Sequence, residues 1–125
     1  MFLLSLAISL KREYKYVISV SGGVDSMTLL DYLYSRKFQI IVVHFNHLKR
    51  ERSYQDKILV NEYCQLRKIP FYYFELNLGN KNFQNQASLT RKLYLQKIAV
   101  QYQTCYIVTA HHLNEGAKET YNFVI

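Results

Sequence analysis

Residues 17–30 read VISVSGGVDSMTLL, and this stretch decides the fold of the chain. An apolar strand runs into a turn with two adjacent glycines, and an amphipathic helix follows. Glycine has no Cβ, so the backbone of such a turn can approach a ligand closely. The first N–H groups of the helix lack intrahelical acceptors, and the helix dipole adds positive charge there. The stretch therefore predicts an anion site formed by Ser21, Gly22, Gly23, Val24, Asp25 and Ser26.

Strand-like and helix-like segments alternate along the rest of the chain. Apolar, β-branched runs predict strands at 16–20, 38–45, 71–76 and 105–109, and helical spacing predicts helices at 26–34, 53–68 and 86–102. We expect residues 1–10 to form a short helix or strand on the core, and Asn114 to open a last helix. Alternation of this kind gives βαβ units. The predicted fold class is α/β, a doubly wound parallel sheet of about four strands with flanking helices.

The spacing of apolar residues also predicts which helix faces are buried. The inward positions expected for the first two helices are Met27, Leu30 and Tyr34, and Ile58, Leu59, Tyr63 and Leu66.

Length, composition and charge indicate what kind of protein this is. The chain has 125 residues, enough for one modest core, and half of them are apolar, which favours a globular fold. We therefore treat residues 1–125 as one domain, incomplete at its C-terminus. The net charge of +7 favours a polyanionic partner such as nucleic acid or nucleotide phosphate, although a solvated basic surface explains the same excess.

The two cysteines and the apolar start of the chain bear on where the protein works. Cys64 and Cys105 lie far apart and in no metal-ligand spacing, which is typical of reduced, half-buried thiols in a cytoplasmic protein. Residues 1–10 lack the basic start and cleavage site of a signal peptide. They are also much shorter than the roughly 20 apolar residues of a membrane span, so no membrane contact is predicted.

The loop at residues 21–26 differs from two common nucleotide-binding loops. It lacks the third glycine and acidic ribose partner of a dinucleotide fingerprint, and it lacks the Gly-Lys-Ser/Thr end of a Walker loop. Instead, hydroxyl groups stand at both ends and Asp25 stands at the helix start. These residue types suit a pyrophosphate held together with a magnesium ion. A merely tight strand-to-helix connection is the alternative interpretation.

Three blocks of sequence resemble one known family. The SGGVDS loop at residues 21–26 resembles the PP-loop of the N-type ATP pyrophosphatases, which cleave ATP between its α and β phosphates. The block HFNHLKR at 44–50, read with Ser53 and Asp56, is similar to the tRNA(Ile)-lysidine synthases within that group. The block AHH at 110–112 resembles the Ala-His-His of the same family. All three follow predicted strands, where doubly wound folds collect their ligands.

The resemblance implies a reaction and a set of site residues. It implies an ATP- and Mg²⁺-dependent ligase that adenylates the wobble cytidine of an isoleucine tRNA with a CAU anticodon and then joins free L-lysine to it. A homodimer is compatible with this interpretation. The implied catalytic residues are Asp25, Arg91, His111, His112 and Glu115, with Asp25 and Glu115 on the metal. The nucleotide contacts would come from the loop residues 21–26, His44 and Asn46.

The sequence also departs from the family pattern. The family's paired aspartates are here Asn114 and Glu115, and the segment before Glu119 is one residue longer. In the helix at 86–102, the family's Ala-Arg-x-x-Arg-Tyr pattern reads ASLTRK at residues 87–92, so only its second arginine is matched, by Arg91. Two alternatives therefore stay open: a shortened chain that binds ATP without catalysis, and another PP-loop enzyme such as a tRNA thiolase. For single residues, a strand-end role for His44 and His47 and a solvated face for Arg91 are the alternatives.

Overall fold

A five-stranded sheet forms the centre of the molecule. The computed structural model describes residues 10–48, 53–76, 83–112 and 119–124. The strands are β1 (Lys15–Ser19), β2 (Gln39–Asn46), β3 (Phe71–Glu75), β4 (Tyr106–His112) and β5 (Glu119–Val124). The helices are α1 (Val24–Ser35), α2 (Ser53–Arg67) and α3 (Phe83–Gln101). The order across the sheet is β3-β2-β1-β4-β5, with the first four strands parallel and β5 antiparallel to β4.

Helices cover both faces of the sheet. Ile18 of β1 and Val42 of β2 pack in one core cluster with Leu29, Leu33, Val60 and Cys64 from α1 and α2. The adjacent residues Val17 and Val43 pack in a second cluster with Leu95 and Ile98 of α3. Neighbouring side chains of a strand point to opposite faces, so a strand buried on both sides must be apolar throughout. The predicted doubly wound α/β class with a four-stranded parallel sheet is confirmed.

The predicted last helix is wrong where the structure describes it. Residues 119–124 form strand β5, which pairs with β4 in the antiparallel register Ile107↔Val124 to His112↔Glu119. The edge of β4 offers unpaired backbone groups, and the segment ETYNFV, which includes Thr, Tyr, Phe and Val, pairs with them. Asn114 lies outside the described residues, as do residues 1–9 of the predicted N-terminal segment.

The buried face of α2 also differs from the prediction. Val60 and Cys64 are fully buried, whereas Ile58, Leu59 and Leu66 are exposed, the last to 82%. Successive residues of a helix are about 100° apart, so the observed face is rotated by one residue from the predicted one. Tyr63 does pack against the core. In α1, Leu30 is buried and Met27 partly buried as predicted, while Tyr34 is exposed and Leu29 and Leu33 take the inward positions.

The two cysteines have different surroundings. Cys64 is buried in α2, and burial raises the pKa of its thiol to about 11. Cys105 is exposed, so its predicted half-burial is wrong, and it lies one residue before the start of β4. Both thiols are free.

No helix in the described parts of the chain combines the length and the apolar character that crossing a membrane would require.

Each helix ends in the same backbone motif. Lys37, Lys68 and Gln103 have φ angles of 65°, 57° and 57°. The next amide bonds back to the helix: Phe38 N to Leu33 O at 3.1 Å, Ile69 N to Cys64 O at 2.9 Å, and Thr104 N to Ala99 O at 2.9 Å. These are Schellman motifs, in which glycine is the usual left-handed residue. The chain therefore places strained lysines at two positions that favour glycine.

Replacing Lys68 with glycine should stabilise the protein by about 0.5–1 kcal/mol, because glycine adopts the left-handed conformation without strain. Lys92 gives the control, since it is exposed within α3, where glycine should cost about 1 kcal/mol. Urea unfolding of both variants measures the two changes. Destabilisation by Lys68→Gly would show that its side chain contributes more than its backbone conformation costs.

Candidate nucleotide-binding site

The turn between β1 and α1 is held together by one buried hydroxyl. Ser26 is 4% exposed, and its Oγ accepts the N–H groups of Ser21 at 3.2 Å and Gly22 at 3.1 Å. The same hydroxyl donates to the carbonyl of Gly23 at 3.1 Å. Ser21 Oγ lies 3.1 Å from Ser26 Oγ and accepts the N–H of Gly23 at 3.3 Å. Ser26 therefore shapes the loop from inside, while Ser21 is exposed on its outer side.

Gly22 is required by both conformation and space. Its φ is 92°, in the left-handed region, and a Cβ at this position would lie 2.8 Å from Cβ of Asp56 on α2. Gly23 is different, since its φ is −73° and an added Cβ would meet only Ser21 Oγ at 3.5 Å. The two glycines therefore have separate roles: Gly22 lets α2 approach the loop, and Gly23 begins the helix.

Helix α1 begins directly at this loop. Gly23 is the N-cap residue and provides no side-chain cap, so it leaves the first-turn amides available to an external acceptor. Asp25 lies in that first turn. The positive end of the helix dipole and these amides favour an anion, and a carboxylate beside them can hold a cation that the anion brings.

The sheet places the loop at the point where the strand order reverses. β1 lies between β2 and β4, with Ser19 opposite Val43 on one side and Thr109 on the other. The connection that follows β1 leads to β2 on one side of it. The connection that follows β3 passes through α3 and leads to β4 on the other side of β1. Ligands of open α/β sheets bind at such a switch, beyond the carboxyl ends of the strands. His111 and His112 lie there in the backbone of β4, two and three residues beyond Thr109.

His44 is a buried, neutral imidazole beside the loop. It is 2% exposed, and its Nδ1 lies 2.8 Å from the carbonyl of Val20, the residue before the loop. A carbonyl can only accept, so Nδ1 carries the proton and Nε2 carries a lone pair. Within the described residues, Nε2 is buried without a hydrogen-bond partner. Burial lowers the pKa of His44 below its usual value, which keeps the ring neutral at pH 7.

The protonation of His44 should make stability depend on pH in one direction. The pKa is lowered in the folded state, so below about pH 6.5 the unfolded chain binds a proton that the folded chain does not. The free energy of unfolding should therefore fall as the pH drops from 7 through the folded-state pKa. NMR titration of the His44 ring protons, together with urea unfolding, measures both. A midpoint above 6.5 would contradict the neutral, buried ring.

A second cluster of polar side chains follows β2. Asn46 is 2% exposed, and its Nδ2 donates to the hydroxyl of Tyr73 on β3 at 3.0 Å. That hydroxyl donates to Glu75 Oε2 at 2.7 Å, and Asn46 Oδ1 accepts the N–H of Leu48 at 2.8 Å. The Tyr73 ring stacks on His44 with centroids 5.9 Å apart, and Lys57 Nζ lies 4.2 Å from its centroid. Burial and the bond to Glu75 raise the pKa of Tyr73 to about 12, so the phenol stays protonated.

Arg91 of α3 reaches the same region from the other face of the sheet. Its Nη1 lies 3.1 Å from His47 Nε2, and both side chains are half-buried. Guanidinium can only donate, so His47 Nε2 accepts and the neutral ring carries its proton on Nδ1. Burial lowers the pKa of Arg91 from its usual value. Arg91 is thus a partly desolvated cation next to the end of β2, unlike the side chains of a solvated helix face.

The described residues offer a partial ligand set for a metal ion. In residues 10–48, 53–76, 83–112 and 119–124, no group of three His, Cys, Asp or Glu side chains is close enough to hold a metal alone. Magnesium at nucleotide sites needs only one or two carboxylates, because phosphates and water provide the remaining ligands. Asp25 in the first turn of α1, with Asp56 packed against Gly22, fits that requirement. Glu115 lies outside the described residues.

Comparison with known families decides what kind of loop this is. The PP-loop domain family matches residues 3–123. The chain belongs to the PP-loop domain family. The SGGVDS loop is thus a PP-loop in the structural sense. The Ser26 hydroxyl holds its backbone together, and Asp56 packs against Gly22.

Curated relatives of this PP-loop domain carry one recurrent name. A tRNA(Ile)-lysidine synthase from Aster yellows witches'-broom phytoplasma is 49% identical over 115 residues, covering 92% of this chain and 26% of that protein. A tRNA(Ile)-lysidine synthase from Mycoplasma genitalium is 41% identical over 106 residues, covering 82% of this chain and 36% of that protein. The chain therefore spans roughly a quarter to a third of the length of these relatives.

Solved structures support the fold of the PP-loop domain. The U34-tRNA thiolase NcsA from Methanococcus maripaludis, solved with its [4Fe-4S] cluster, has a TM-score of 0.63 at 18% identity. The alignment covers 82% of this chain and 40% of that one. An NH3-dependent NAD synthetase from Campylobacter jejuni has a TM-score of 0.57 at 13% identity, covering 85% and 50%. At these identities the likeness concerns the fold alone.

The structure brings together most of the residues that the sequence singled out. The loop residues 21–26, His44, Asn46 and Arg91 all lie at the carboxyl end of the parallel strands, with His111 and His112 in the backbone of β4. The side chains of His111 and His112 are outside the described set. Tyr73 and Glu75 are not among the residues that the sequence motifs singled out. The parallel register His44↔Tyr73 and Asn46↔Glu75 could reveal them only once the strand pairing was known.

Proposed function

We propose that this PP-loop domain performs the nucleotide-dependent chemistry of a tRNA(Ile)-lysidine synthase. The substrates would be ATP with Mg²⁺, free L-lysine and an isoleucine tRNA with a CAU anticodon. The observation that carries the proposal is the SGGVDS loop at the strand-order switch, with no side-chain cap on the first turn of α1 and with Asp25 in that turn. The names of the relatives support the choice of substrates. The homodimer expected from the sequence stays a prediction.

The proposed reaction has two steps that balance. The C2 oxygen of the wobble cytidine attacks the α-phosphorus of ATP, an O–P bond forms, and the bond to the β-phosphate breaks to release pyrophosphate. The lysine amine then attacks C2, the C–O bond breaks, AMP leaves, and the amine gives up a proton. Adenylation is needed because the C2 oxygen is a poor leaving group until it becomes a phosphate ester.

The loop and Arg91 would meet the negative charge of the first step. The first-turn amides of α1 and the Ser21 hydroxyl would bind the pyrophosphate part, since preformed dipoles stabilise developing charge without reorganising. Arg91 is partly desolvated, which strengthens its attraction for phosphate oxygens. Asp25, with Glu115 as a second carboxylate, would hold Mg²⁺, which neutralises phosphate charge when bound. His111 or His112 would orient the α-phosphate.

His44 fits the nucleoside side of the ligand better than its phosphates, whereas Asn46 fits a supporting role. The neutral His44 ring presents a lone pair on Nε2, which repels phosphate oxygens and accepts a hydrogen bond from a hydroxyl or amino group. Asn46 is engaged with Tyr73 and Leu48, so its contribution would be to hold the end of β2 in place.

The fold alone also fits a tRNA thiolase, and the cysteines argue against that alternative. Thiolation needs a reactive sulfur near the loop. Burial raises the pKa of Cys64 to about 11, which suppresses its thiolate, and Cys105 precedes β4 at the opposite end from the loop. Of the described residues, neither cysteine lies in a metal-binding group.

Lysine incorporation tests the proposal directly. The purified chain is incubated with ATP, Mg²⁺, isotope-labelled lysine and a CAU-anticodon isoleucine tRNA transcript, and the digested nucleosides are examined by mass spectrometry. We expect labelled lysidine from this transcript and none from one in which the wobble cytidine is replaced by guanosine. ATP binding without product would leave a nucleotide-binding domain that does not catalyse the reaction.

A further inference from the structure

The hydroxyl of Tyr73 has only one pattern of hydrogen bonds available. Asn46 Nδ2 can only donate and the Glu75 carboxylate can only accept, so the hydroxyl must accept from the first and donate to the second. The two distances, 3.0 and 2.7 Å, are those of good hydrogen bonds. Tyr73 is thus a fixed link between β2 and β3 with a defined direction.

The Tyr73 hydroxyl and the N–H of Leu48 together fix which way the Asn46 carboxamide faces. With Nδ2 turned to Tyr73, Oδ1 is turned to the N–H of Leu48 at 2.8 Å. A flipped carboxamide would place its NH₂ group against that N–H, donor against donor. Leu48 has a φ of 58°, so the turn at residues 46–48 is strained, and the Asn46 side chain supports it.

The same turn carries His47 to Arg91. His47 lies between Asn46 and Leu48, and its Nε2 accepts from Arg91 Nη1 at 3.1 Å. This bond holds a half-buried guanidinium and requires the His47 proton to be on Nδ1. A turn that relaxes would move the His47 ring and release Arg91 from this contact.

We propose that Tyr73 is a positioning residue, whose hydroxyl sets the turn after β2 and through it the tautomer of His47 and the orientation of Arg91. The meaning of that orientation for phosphate binding rests on the proposed function. The positioning itself does not, because every contact in it lies within the protein.

The test is the His47 tautomer in Tyr73→Phe, read from long-range ¹⁵N–¹H NMR without nucleotide. We expect the native protein to show a single Nδ1–H tautomer and the variant to show a mixture. Tyr72→Phe is the matched control, since it removes the neighbouring hydroxyl, which bonds Tyr102 at 2.7 Å and Gln101 at 3.0 Å. The control should leave the His47 spectrum unchanged.

An unaltered His47 spectrum in folded Tyr73→Phe would overturn the proposal, as would an equal change in Tyr72→Phe. Should Tyr73→Phe not fold, Glu75→Ala removes the acceptor from an exposed position and should shift the tautomer in the same direction to a smaller extent. No shift in that variant also overturns the proposal.

ATP binding adds a functional readout. Tyr73→Phe should raise the Kd for ATP by about tenfold, the low end of the 10–100-fold loss seen when the supporting hydrogen-bond partner of a metal ligand is removed. A native protein that binds no ATP would refute the proposed function and leave the His47 result standing. A native protein that binds ATP, with an unchanged Kd and an unchanged His47 in Tyr73→Phe, would refute the positioning role alone.

Discussion

Gly22→Ala should destabilise the protein by about 3 kcal/mol, because a left-handed φ and an overpacked contact each cost roughly 1–3 kcal/mol. The φ of 92° opposes any side chain, and the new Cβ would lie 2.8 Å from Cβ of Asp56. A loss of this size corresponds to a fall in Tm of roughly 10 °C for a chain of this length. Calorimetry measures the fall, and titration with ATP should show that binding is lost with the loop geometry.

Gly23→Ala provides the matched control for stability. The same methyl group there meets only Ser21 Oγ at 3.5 Å, and the φ of −73° suits alanine. Its cost should be about 0.5–1 kcal/mol, the loss expected when alanine replaces a better N-cap residue, and therefore well below the cost at Gly22. Equal losses at the two positions would show that neither the φ of Gly22 nor the contact with Asp56 shapes the loop.

Asp25→Asn should slow the release of pyrophosphate from ATP by about 100-fold or more, the scale seen when one charge-stabilising group is removed from an active site. Asparagine keeps the size of the side chain but cannot neutralise a magnesium ion. Folding should be little affected, because a negative charge in the first turn of a helix contributes only about 0.3–1 kcal/mol.

Asp31→Asn tests whether that loss is specific to the loop. Asp31 lies further along α1, and its Oδ1 accepts the hydroxyl of Tyr63 at 2.7 Å, a bond that asparagine can also accept. Pyrophosphate release should be unchanged in this variant. A similar loss in both variants, or unaltered release in Asp25→Asn, would contradict the metal role of Asp25.

The sequence was most informative where the chemistry of the backbone dictates the structure. The two glycines, the apolar strand before them and the helix after them predicted the loop, and the alternation of strands and helices predicted the parallel sheet. Both follow from local rules that hold before any tertiary contact is known. The close approach of Asp56, which requires glycine at position 22, could not be predicted because it depends on how α2 packs against the loop.

Features that depend on long-range packing escaped sequence reasoning. The inward face of α2 lies on Val60 and Cys64, and the more apolar neighbours Ile58 and Leu59 are exposed, so hydrophobic spacing gave the wrong rotation. Strand β5 exists because the edge of β4 accepts it, which no local pattern encodes. Tyr73 belongs to no sequence motif, and only the register with β2 places its hydroxyl beside Asn46.

ATP–pyrophosphate exchange is the most direct measurement of whether this PP-loop domain is an adenylating enzyme. The purified chain, ATP, Mg²⁺ and labelled pyrophosphate are incubated with and without a CAU-anticodon isoleucine tRNA, with lysine left out so that only the first step can proceed. We expect exchange that depends on the tRNA and is lost in Asp25→Asn. ATP binding with no exchange in the presence of this tRNA would contradict the proposed ligase, and no ATP binding at all would contradict the assignment of the loop.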